Sequence, residues 1–280
     1  MTTSTVIAVL LCSPMLFATS ALAEKLPRLT IATEGYLRPY NFTRPDGELD
    51  GFDIELGRHL CKTMRVECIF VAQPFEGLLA GINAGKFDAI MAGLIATPER
   101  ERVIAFSKTY SLTPQVFAVL KDSRFDMLPH SGIGLDLAGV GASAEAAIQD
   151  VSQAVEGAEV GVVKGTVSAA FVQQYFQHTV MIREYRSEED ALMDLKSGRI
   201  DIFANSRAFL TSTAKLPGYQ DLRITGPSYS GGVVGRGVAV GVQKNNAALL
   251  DKFNHAITLA TADGTIARLS SKWFEFNVSP

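Results

Sequence analysis

Short β-rich runs alternate along the chain with stretches whose apolar residues have helical spacing. Residues 29–33 predict a strand, and residues 52–64 predict a helix because apolar side chains recur three and four positions apart. Residues 67–72, 75–84 and 87–91 then predict a strand, a helix and a strand. This order is typical of a parallel α/β sheet with covering helices.

A second unit of the same kind follows. Strands are predicted at 160–163, 180–185 and 200–204, with helices between them, the second of which covers 188–196. The remaining predicted strands and helices lie at 103–110, 116–120, 143–155, 238–242, 247–261 and 264–273. The sequence therefore predicts two α/β units in one chain.

The two units share a weak internal repeat. FEGLLAGINAGKFDAIMAG (75–93) is similar to EEDALMDLKSGRIDIFANS (188–206): each has a short helix, a glycine, a basic residue, an apolar residue, an aspartate and an apolar strand. Two copies indicate two similar lobes. The alternative is that any helix–glycine–strand connection looks alike.

The first 23 residues contain no Asp, Glu, Lys or Arg, and the apolar run 6–17 leads to the small-x-small sequence Ala21-Leu22-Ala23. This pattern predicts a secretory signal peptide that is cleaved after Ala23. A membrane anchor is the alternative, but the apolar run is shorter than the roughly 20 residues that span a bilayer.

Composition and cysteine content narrow the class of protein. The 280 residues are 47% hydrophobic and 20% charged, as in ordinary globular proteins, and the net charge of −3 argues against a nucleic-acid partner. Export would leave Cys61 and Cys68, an even pair that favours a disulfide in an oxidising compartment, with two reduced core cysteines as the alternative. The histidines lack the spacing of a metal site.

The segment 88–102 contains the clearest candidate for binding chemistry. Thr97 suits a helix N-cap, Pro98 the first helical position and Glu99 the first turn. Free backbone N–H groups at such a start attract anions, and Arg100 adds a planar donor that matches a carboxylate. We predict the wall of a pocket for the acidic end of a small molecule; the alternative is an ordinary capped helix with a surface arginine.

A series of motifs occurs in order along the chain: IATEGY (31–36), DGELDGFDIEL (46–56), the Cys61/Cys68 pair, FEGLLAGINAGKFDAI (75–90), TPERERVIAFS (97–107), VGVVKGTVSAAF (160–171), SGRIDIF (197–203), GVAVGVQKN (237–245) and DGTIARLSSKWF (263–274). In this set the mature chain resembles the family 3 solute-binding proteins of polar amino acid ABC importers. The segments 123–159 and SYSGG (228–232) are similar to the opine-binding branch of that family, which includes nopaline- and octopine-binding proteins.

The resemblance implies the type II periplasmic-binding-protein fold, in which two hinge-linked α/β lobes close on a ligand. Lobe 1 would comprise 24–111 plus 229–280, and lobe 2 would comprise 112–228. It also implies a periplasmic monomer that delivers a small molecule to the permease subunits of an ABC transporter. No cofactor, metal or nucleic acid is implied.

The resemblance also implies a set of ligand-binding positions between the lobes. Arg100 aligns with the carboxylate-binding arginine of the family, Glu34 with an acidic position that meets basic ligands, and Gln115 with a position beside the first hinge. The implied ligand-binding residues are Glu34, Tyr36, Phe75, Ala92, Gly93, Leu94, Ile95, Arg100, Gln115, Gly165, Thr166, Val167 and Ser206.

Three of these positions depart from the family pattern. Ile95 and Val167 replace a serine and a threonine that bind carboxylate, and Ser206 replaces the aspartate that pairs with a ligand ammonium. A buried ammonium without a carboxylate partner is costly. We therefore expect an opine or a similar sugar–amino acid conjugate with a carboxylate and no primary ammonium, with a standard polar amino acid as the alternative.

An enzyme of the dehydratase type on the same fold is the alternative of another class. Such an enzyme needs acids or bases in the cleft, and Glu34 is the one acid that the sequence places there. The sequence therefore predicts a binding protein and no catalytic residues.

Overall fold

The computed structural model describes Met1 and residues 26–139, 141–274 and 276–280. Apart from Met1, the predicted signal peptide and its cleavage site lie outside the described residues. Among the residues that are described, no helix combines the length and the apolar character needed to cross a bilayer.

Three successive segments of the chain contain the helices and strands. The first contains β1 (Arg28–Thr33), β2 (Phe42–Thr43), β3 (Leu49–Asp50), α1 (Phe52–Met64), β4 (Glu67–Ala72), α2 (Phe75–Asn83), β5 (Ala89–Ile90), α3 (Pro98–Glu101) and β6 (Ala105–Ser111). The second contains β7 (Gln115–Leu120), β8 (Gly134–Asp136), α4 (Ala142–Ala154), β9 (Glu159–Val163), α5 (Val167–Phe176), β10 (Met181–Tyr185), α6 (Glu188–Lys196), β11 (Ile202–Ser206), α7 (Arg207–Thr213) and β12 (Leu222–Ser230). The third contains a 3-10 turn (Gly232–Val234), β13 (Val238–Val242), α8 (Ala247–Ala262) and α9 (Thr265–Phe274).

Two mixed sheets organise these elements. The first has the strand order β4-β1-β5-β13-β6, in which β1 is parallel to β4 and β5, as predicted, whereas β13 is antiparallel to β5 and β6. The second has the order β10-β9-β11-β7-β12-β8, in which β9 is parallel to β10 and β11 and β7 is antiparallel to both neighbours. Strands β5, β11 and β13 are buried throughout, as expected of central strands with both faces covered.

Two connections join the sheets, and they lie side by side. The chain leaves the first sheet at Ser111 and enters the second at Gln115, and it returns between β12 and β13. Val238 pairs with Ser111, and Tyr229 pairs with Gln115. Strand β12 continues in the second sheet to Ser230, beyond the predicted lobe boundary at residue 228.

The predicted disulfide is confirmed. Helix α1 ends at Met64 and is followed by Arg65, whose left-handed backbone (φ 55°) turns the chain toward β4. Cys61 on α1 is bonded to Cys68 on β4, with 6.1 Å between their Cα atoms. The bridge therefore ties the helix to the edge strand of the first sheet.

Strands β2, β3, β8 and β12 and helix α7 were not predicted. The reason is clearest for β12, because Gly226-Pro227 is a turn signal within it. The strand nevertheless pairs with β7 on both sides of this dipeptide, through a register shift between Thr225 and Tyr229. A bulge of this kind admits a proline inside a sheet.

The internal repeat corresponds to equivalent places in the two sheets. Helix α2 leads to β5, which lies between β1 and β13, and helix α6 leads to β11, which lies between β9 and β7. Both helices are followed by a left-handed glycine, Gly85 (φ 70°) and Gly198 (φ 71°). The two halves of the molecule thus present the same helix starts and strand ends toward each other.

Candidate functional site

A cavity, called here the inner cavity, lies between the two sheets. The loops that follow the carboxyl ends of β1 and β5 meet those that follow β9 and β11, which is where open α/β sheets bind ligands. Its volume is about 50 Å³, room for a few water molecules. The residues that line it are Glu34, Leu37, Tyr40, Phe75, Ala92, Gly93, Ile95, Arg100, Thr113, Gln115, Thr166, Val167, Ser168, Glu188, Asn205 and Ser206.

Arg100 is buried in this cavity and joins the two sides. The Thr97 hydroxyl caps α3 as predicted, accepting a hydrogen bond from the Arg100 amide at 3.2 Å. The guanidinium donates to the Ile95 carbonyl at 2.8 Å and to the Gly165 carbonyl at 2.9 Å, and it lies 5.4 Å from the centre of the Phe75 ring. Arg100 is 8% exposed, so it is buried, unlike the surface arginine of the alternative interpretation.

The charge of Arg100 has no acidic partner among the described residues. Its neighbour Glu101 is paired instead with Arg236, at 3.0 Å. Burial lowers the pKa of Arg100 to about 10, and the charge of Glu99 opposes this effect. A buried, unpaired guanidinium favours an anion beside it, so this end of the cavity is suited to a carboxylate.

Further hydrogen-bond donors line the same cavity as Arg100. The Ser168 hydroxyl donates to Gln115 Oε1, and Gln115 Nε2 is buried without a partner among the described residues. Helix α5 begins at Val167 and is capped by Thr166, whose hydroxyl accepts from the Ala169 amide at 3.2 Å. The amides of the first turn of a helix have no acceptor within the helix. This side of the cavity therefore offers donors to the oxygens of a ligand.

Two buried carboxylates, Glu34 and Glu188, also line the inner cavity. Glu34 follows β1 and is 6% exposed, and Glu188 is the first residue of α6 and is 5% exposed. Burial and the nearby charge of Glu188 raise the pKa of Glu34 well above its ordinary value. Burial also raises the pKa of Glu188, although hydrogen bonds from its own backbone and from Asn205 oppose this. Burial and the neighbouring carboxylate therefore both favour the protonated form of Glu34.

Asp53 holds the backbone beneath the cavity. Its Oδ2 accepts from the Gly93 amide at 2.6 Å and from Asn41 Nδ2 at 3.1 Å, and its Oδ1 accepts from the Tyr110 hydroxyl at 2.7 Å. Asn41 Oδ1 in turn accepts from the Gly35 amide at 2.8 Å. Burial raises the pKa of Asp53 to about 6, against the effect of these hydrogen bonds. One carboxylate thus positions the loops after both β1 and β5.

Most of the predicted site residues line the inner cavity: Glu34, Phe75, Ala92, Gly93, Ile95, Arg100, Gln115, Thr166, Val167 and Ser206. Three do not. Tyr36 is 63% exposed and lies in a separate groove, and Leu94 is 1% exposed in the core of the first sheet. Gly165 reaches the site through its carbonyl, which accepts from Arg100.

Sequence reasoning missed six residues of the lining: Leu37, Tyr40, Thr113, Ser168, Glu188 and Asn205. The interpretation of Glu34 as the one acid of the cleft was wrong, because α6 brings Glu188 to the same cavity. The repeat contained the missing signal. It aligns Phe75 with Glu188 and Ala92 with Asn205, so the second copy marks the same positions as the first.

Known proteins are similar to this chain in sequence and in fold. The family profile described as bacterial extracellular solute-binding proteins, family 3, matches residues 29–276. An octopine-binding periplasmic protein of Rhizobium meliloti is 37% identical, over 97% of this chain and 98% of its own. A histidine-binding periplasmic protein of Escherichia coli is 31% identical over 93% of each chain. The solved structure of a Salmonella typhimurium periplasmic binding protein with high arginine specificity has a TM-score of 0.74 at 28% identity, covering 89% of this chain and 99% of that one.

Proposed function

Because the chain belongs to family 3 of the bacterial extracellular solute-binding proteins, we propose that it captures an opine in the periplasm for an ABC importer. The predicted fold class, the type II periplasmic-binding-protein fold, is confirmed. In this proposal the signal peptide is cleaved after Ala23, and the mature monomer delivers its ligand to the permease subunits. The octopine-binding relative from Rhizobium meliloti favours an opine over a plain amino acid.

The observation that carries the proposal is the buried guanidinium of Arg100, which forms no ion pair with an acid among the described residues. It lines the same cavity as Gln115, whose Nε2 is buried and has no partner among those residues. Both groups donate, and a ligand carboxylate supplies the acceptors that they lack. Thr166, Val167 and the rest of the α5 start contribute backbone donors on the same side.

The position that pairs with a ligand ammonium in amino acid binders remains neutral here. Ser206 uses its hydroxyl to cap α7, accepting from the Phe209 amide at 3.2 Å, and Asn205 Oδ1 accepts from the Ser206 amide at 2.7 Å. A primary ammonium of a ligand bound next to Ser206 would find no carboxylate partner on β11. This supports a ligand whose amine is substituted, as it is in an opine.

Ligand capture requires motion of two lobes, which we assign to 24–111 plus 229–280 and to 112–228. The inner cavity of about 50 Å³ is too small for an opine, so the closed arrangement has to widen before a ligand enters. The bond from Arg100 to the Gly165 carbonyl joins the proposed lobes and would be exchanged for bonds to the ligand carboxylate. A ligand that contacts both lobes shifts the open–closed equilibrium toward closure.

A panel of ligands tests the proposal. The purified mature protein is titrated by calorimetry with arginine, lysine, glutamine and several opines, and melting temperatures are recorded with each compound. We expect an opine to bind and to raise the melting temperature, since a ligand at about 1,000 times its Kd stabilises the native state by about 4 kcal/mol. Tight binding of a plain amino acid, with no response to any opine, would contradict it.

A dehydratase-like enzyme is the second candidate function. The observation in its favour is the pair of buried carboxylates with raised pKa values, a feature of acid–base sites. Recovery of the bound compound after prolonged incubation separates the two functions. An unchanged compound supports a binding protein, and a dehydrated product supports the enzyme.

A further inference from the structure

The connection from β6 to β7 is anchored at its start to the first segment of the chain. The Tyr110 hydroxyl donates to Asp53 at 2.7 Å, and Asp53 lies on α1. The hydroxyl groups of Ser111 and Tyr40 form a hydrogen bond of 2.8 Å, and both of these side chains are buried. The end of β6 is therefore held in place by residues that precede it in the first segment.

The rest of this connection is anchored beside the second sheet. The Thr113 hydroxyl accepts a hydrogen bond from the Ala208 amide at 3.2 Å. The Pro114 carbonyl accepts one from the Arg207 amide at 2.9 Å, and α7 begins at Arg207, directly after β11. Leu112 lies between these two sets of contacts, so a rotation of one sheet against the other is concentrated at its backbone.

The segment 276–280, which follows α9, contacts this pivot and is called here the hinge brace. The Leu112 amide donates to the Val278 carbonyl at 2.6 Å. Val278 is 1% exposed and belongs to the apolar cluster that contains the buried residues of α8 and β13. The hinge brace thus fixes the peptide group of Leu112 against the core of the first sheet.

One buried hydroxyl holds the hinge brace on α9. Ser270 is fully buried, and its hydroxyl donates to the Phe276 carbonyl at 2.9 Å and accepts from the Val278 amide at 2.7 Å. The neighbouring Ser271 is exposed, and its hydroxyl bonds to the Ala267 carbonyl within α9. Ser270 therefore connects α9 to the pivot through Val278, whereas Ser271 takes no part in this contact.

We propose that the hinge brace restricts the pivot between the two lobes and thereby raises the affinity for the ligand. This inference rests on the lobe motion of the function proposed above, and it goes beyond that function because Ser270 and the hinge brace do not line the inner cavity. While the Leu112 amide is held, the backbone dihedral angles on either side of its peptide group are ordered before a ligand binds. Ordering the backbone of one residue changes an equilibrium constant by about five- to thirty-fold, so closure onto a ligand becomes less favourable when the brace is released.

Release of the hinge brace by Ser270→Ala tests the proposal, and Ser271→Ala, the same change at the next residue, is the control. Both variants are compared with the wild type well below their melting temperatures. The hydrogen-exchange rate of the Leu112 amide is measured by NMR in the ligand-free protein. The Kd is measured by calorimetry with octopine, or with the tightest-binding opine of the panel if octopine does not bind. Ser270→Ala should speed the exchange by about tenfold or more and raise the Kd by about fivefold or more, and Ser271→Ala should change neither.

Two further variants separate the pivot from general stability. Val278→Ala removes much of the apolar anchor of the hinge brace and should act like Ser270→Ala. Val151→Ala makes the same substitution at a buried valine of α4, in the core of the second sheet. It should lower the melting temperature because it leaves a cavity, but the Kd should keep its wild-type value.

The outcomes separate the hinge brace from the proposed function. An unchanged Kd in both Ser270→Ala and Val278→Ala overturns the proposal, and so does a Kd that rises equally in Val151→Ala. Failure of the wild-type protein to bind any opine overturns the proposed function, and the hinge brace is then tested by small-angle X-ray scattering of the ligand-free proteins. A larger radius of gyration in Ser270→Ala than in Ser271→Ala supports a restricted pivot, and equal values overturn it.

Discussion

Replacement of Arg100 with methionine should separate ligand binding from folding stability. Methionine fills much of the same volume without a charge. Burial lowers the pKa of Arg100 to about 10. This shift from the ordinary value means that the charged side chain destabilises the folded protein by about 3 kcal/mol. The variant loses the hydrogen bonds to the Ile95 and Gly165 carbonyls, at about 1 kcal/mol each. The ligand-free variant should therefore be as stable as the wild type or more stable by about 1 kcal/mol.

Ligand binding should respond in the opposite direction. Loss of a buried, charge-assisted contact to a carboxylate costs about 2–5 kcal/mol, which raises the Kd by about 30-fold to several thousand-fold. Thermal melting with and without the bound opine measures both quantities in one assay. Arg102→Met, at an exposed arginine in the same segment, is the control and should keep the wild-type response. An Arg100→Met variant with a full opine-induced rise in melting temperature would refute the role of this residue as the carboxylate anchor.

Three further changes test the account elsewhere in the molecule. Changing both Cys61 and Cys68 to serine should lower the free energy of unfolding, measured by urea titration, by about 2–3 kcal/mol. The Kd for the ligand should not change, because the bridge is at the start of β4 and the cavity is at the other end of the strand. A large change in Kd would contradict this. Tyr229→Phe should stabilise the protein by about 1 kcal/mol or more, since the buried hydroxyl has no partner among the described residues; a lower melting temperature would indicate a hidden partner. The free energy of unfolding of the ligand-free protein should fall as pH rises above about 4.5, because folded Glu34 retains a proton that the unfolded chain releases. Urea titrations at roughly pH 5 and pH 8 measure this fall, which should be smaller in Glu34→Gln. An equal fall in the variant and the wild type would show that Glu34 titrates normally.

Local signals in the sequence predicted those parts of the site that one segment builds by itself. Thr97, Pro98 and Arg100 lie within four positions of the chain. Their order alone predicts that Thr97 caps the helix, that Pro98 begins it and that Arg100 lies in its first turn. The helix at Phe52–Met64 and the strand at Glu67–Ala72 follow in the same way from periodic burial along the chain. In these places, propensity and tertiary structure favour the same conformation.

Contacts between the sheets were harder to predict. Glu188 follows a strand at the edge of the second sheet, and its distance from Glu34 depends on how the two sheets face each other. The misplacement of Tyr36 has a local cause: the left-handed Gly35 (φ 83°) redirects the chain, so Tyr36 turns outward while Leu37 and Tyr40 line the cavity. Neither effect leaves a periodic pattern in the sequence.

A crystal structure with the tightest-binding opine is the most direct test of the central claim, that a ligand carboxylate binds to Arg100 in the inner cavity. The account predicts a ligand carboxylate within about 3 Å of the Arg100 guanidinium, with the bond from Arg100 to the Gly165 carbonyl exchanged for bonds to the ligand. A ligand whose carboxylate lies away from Arg100, or one bound outside the inner cavity, would contradict it.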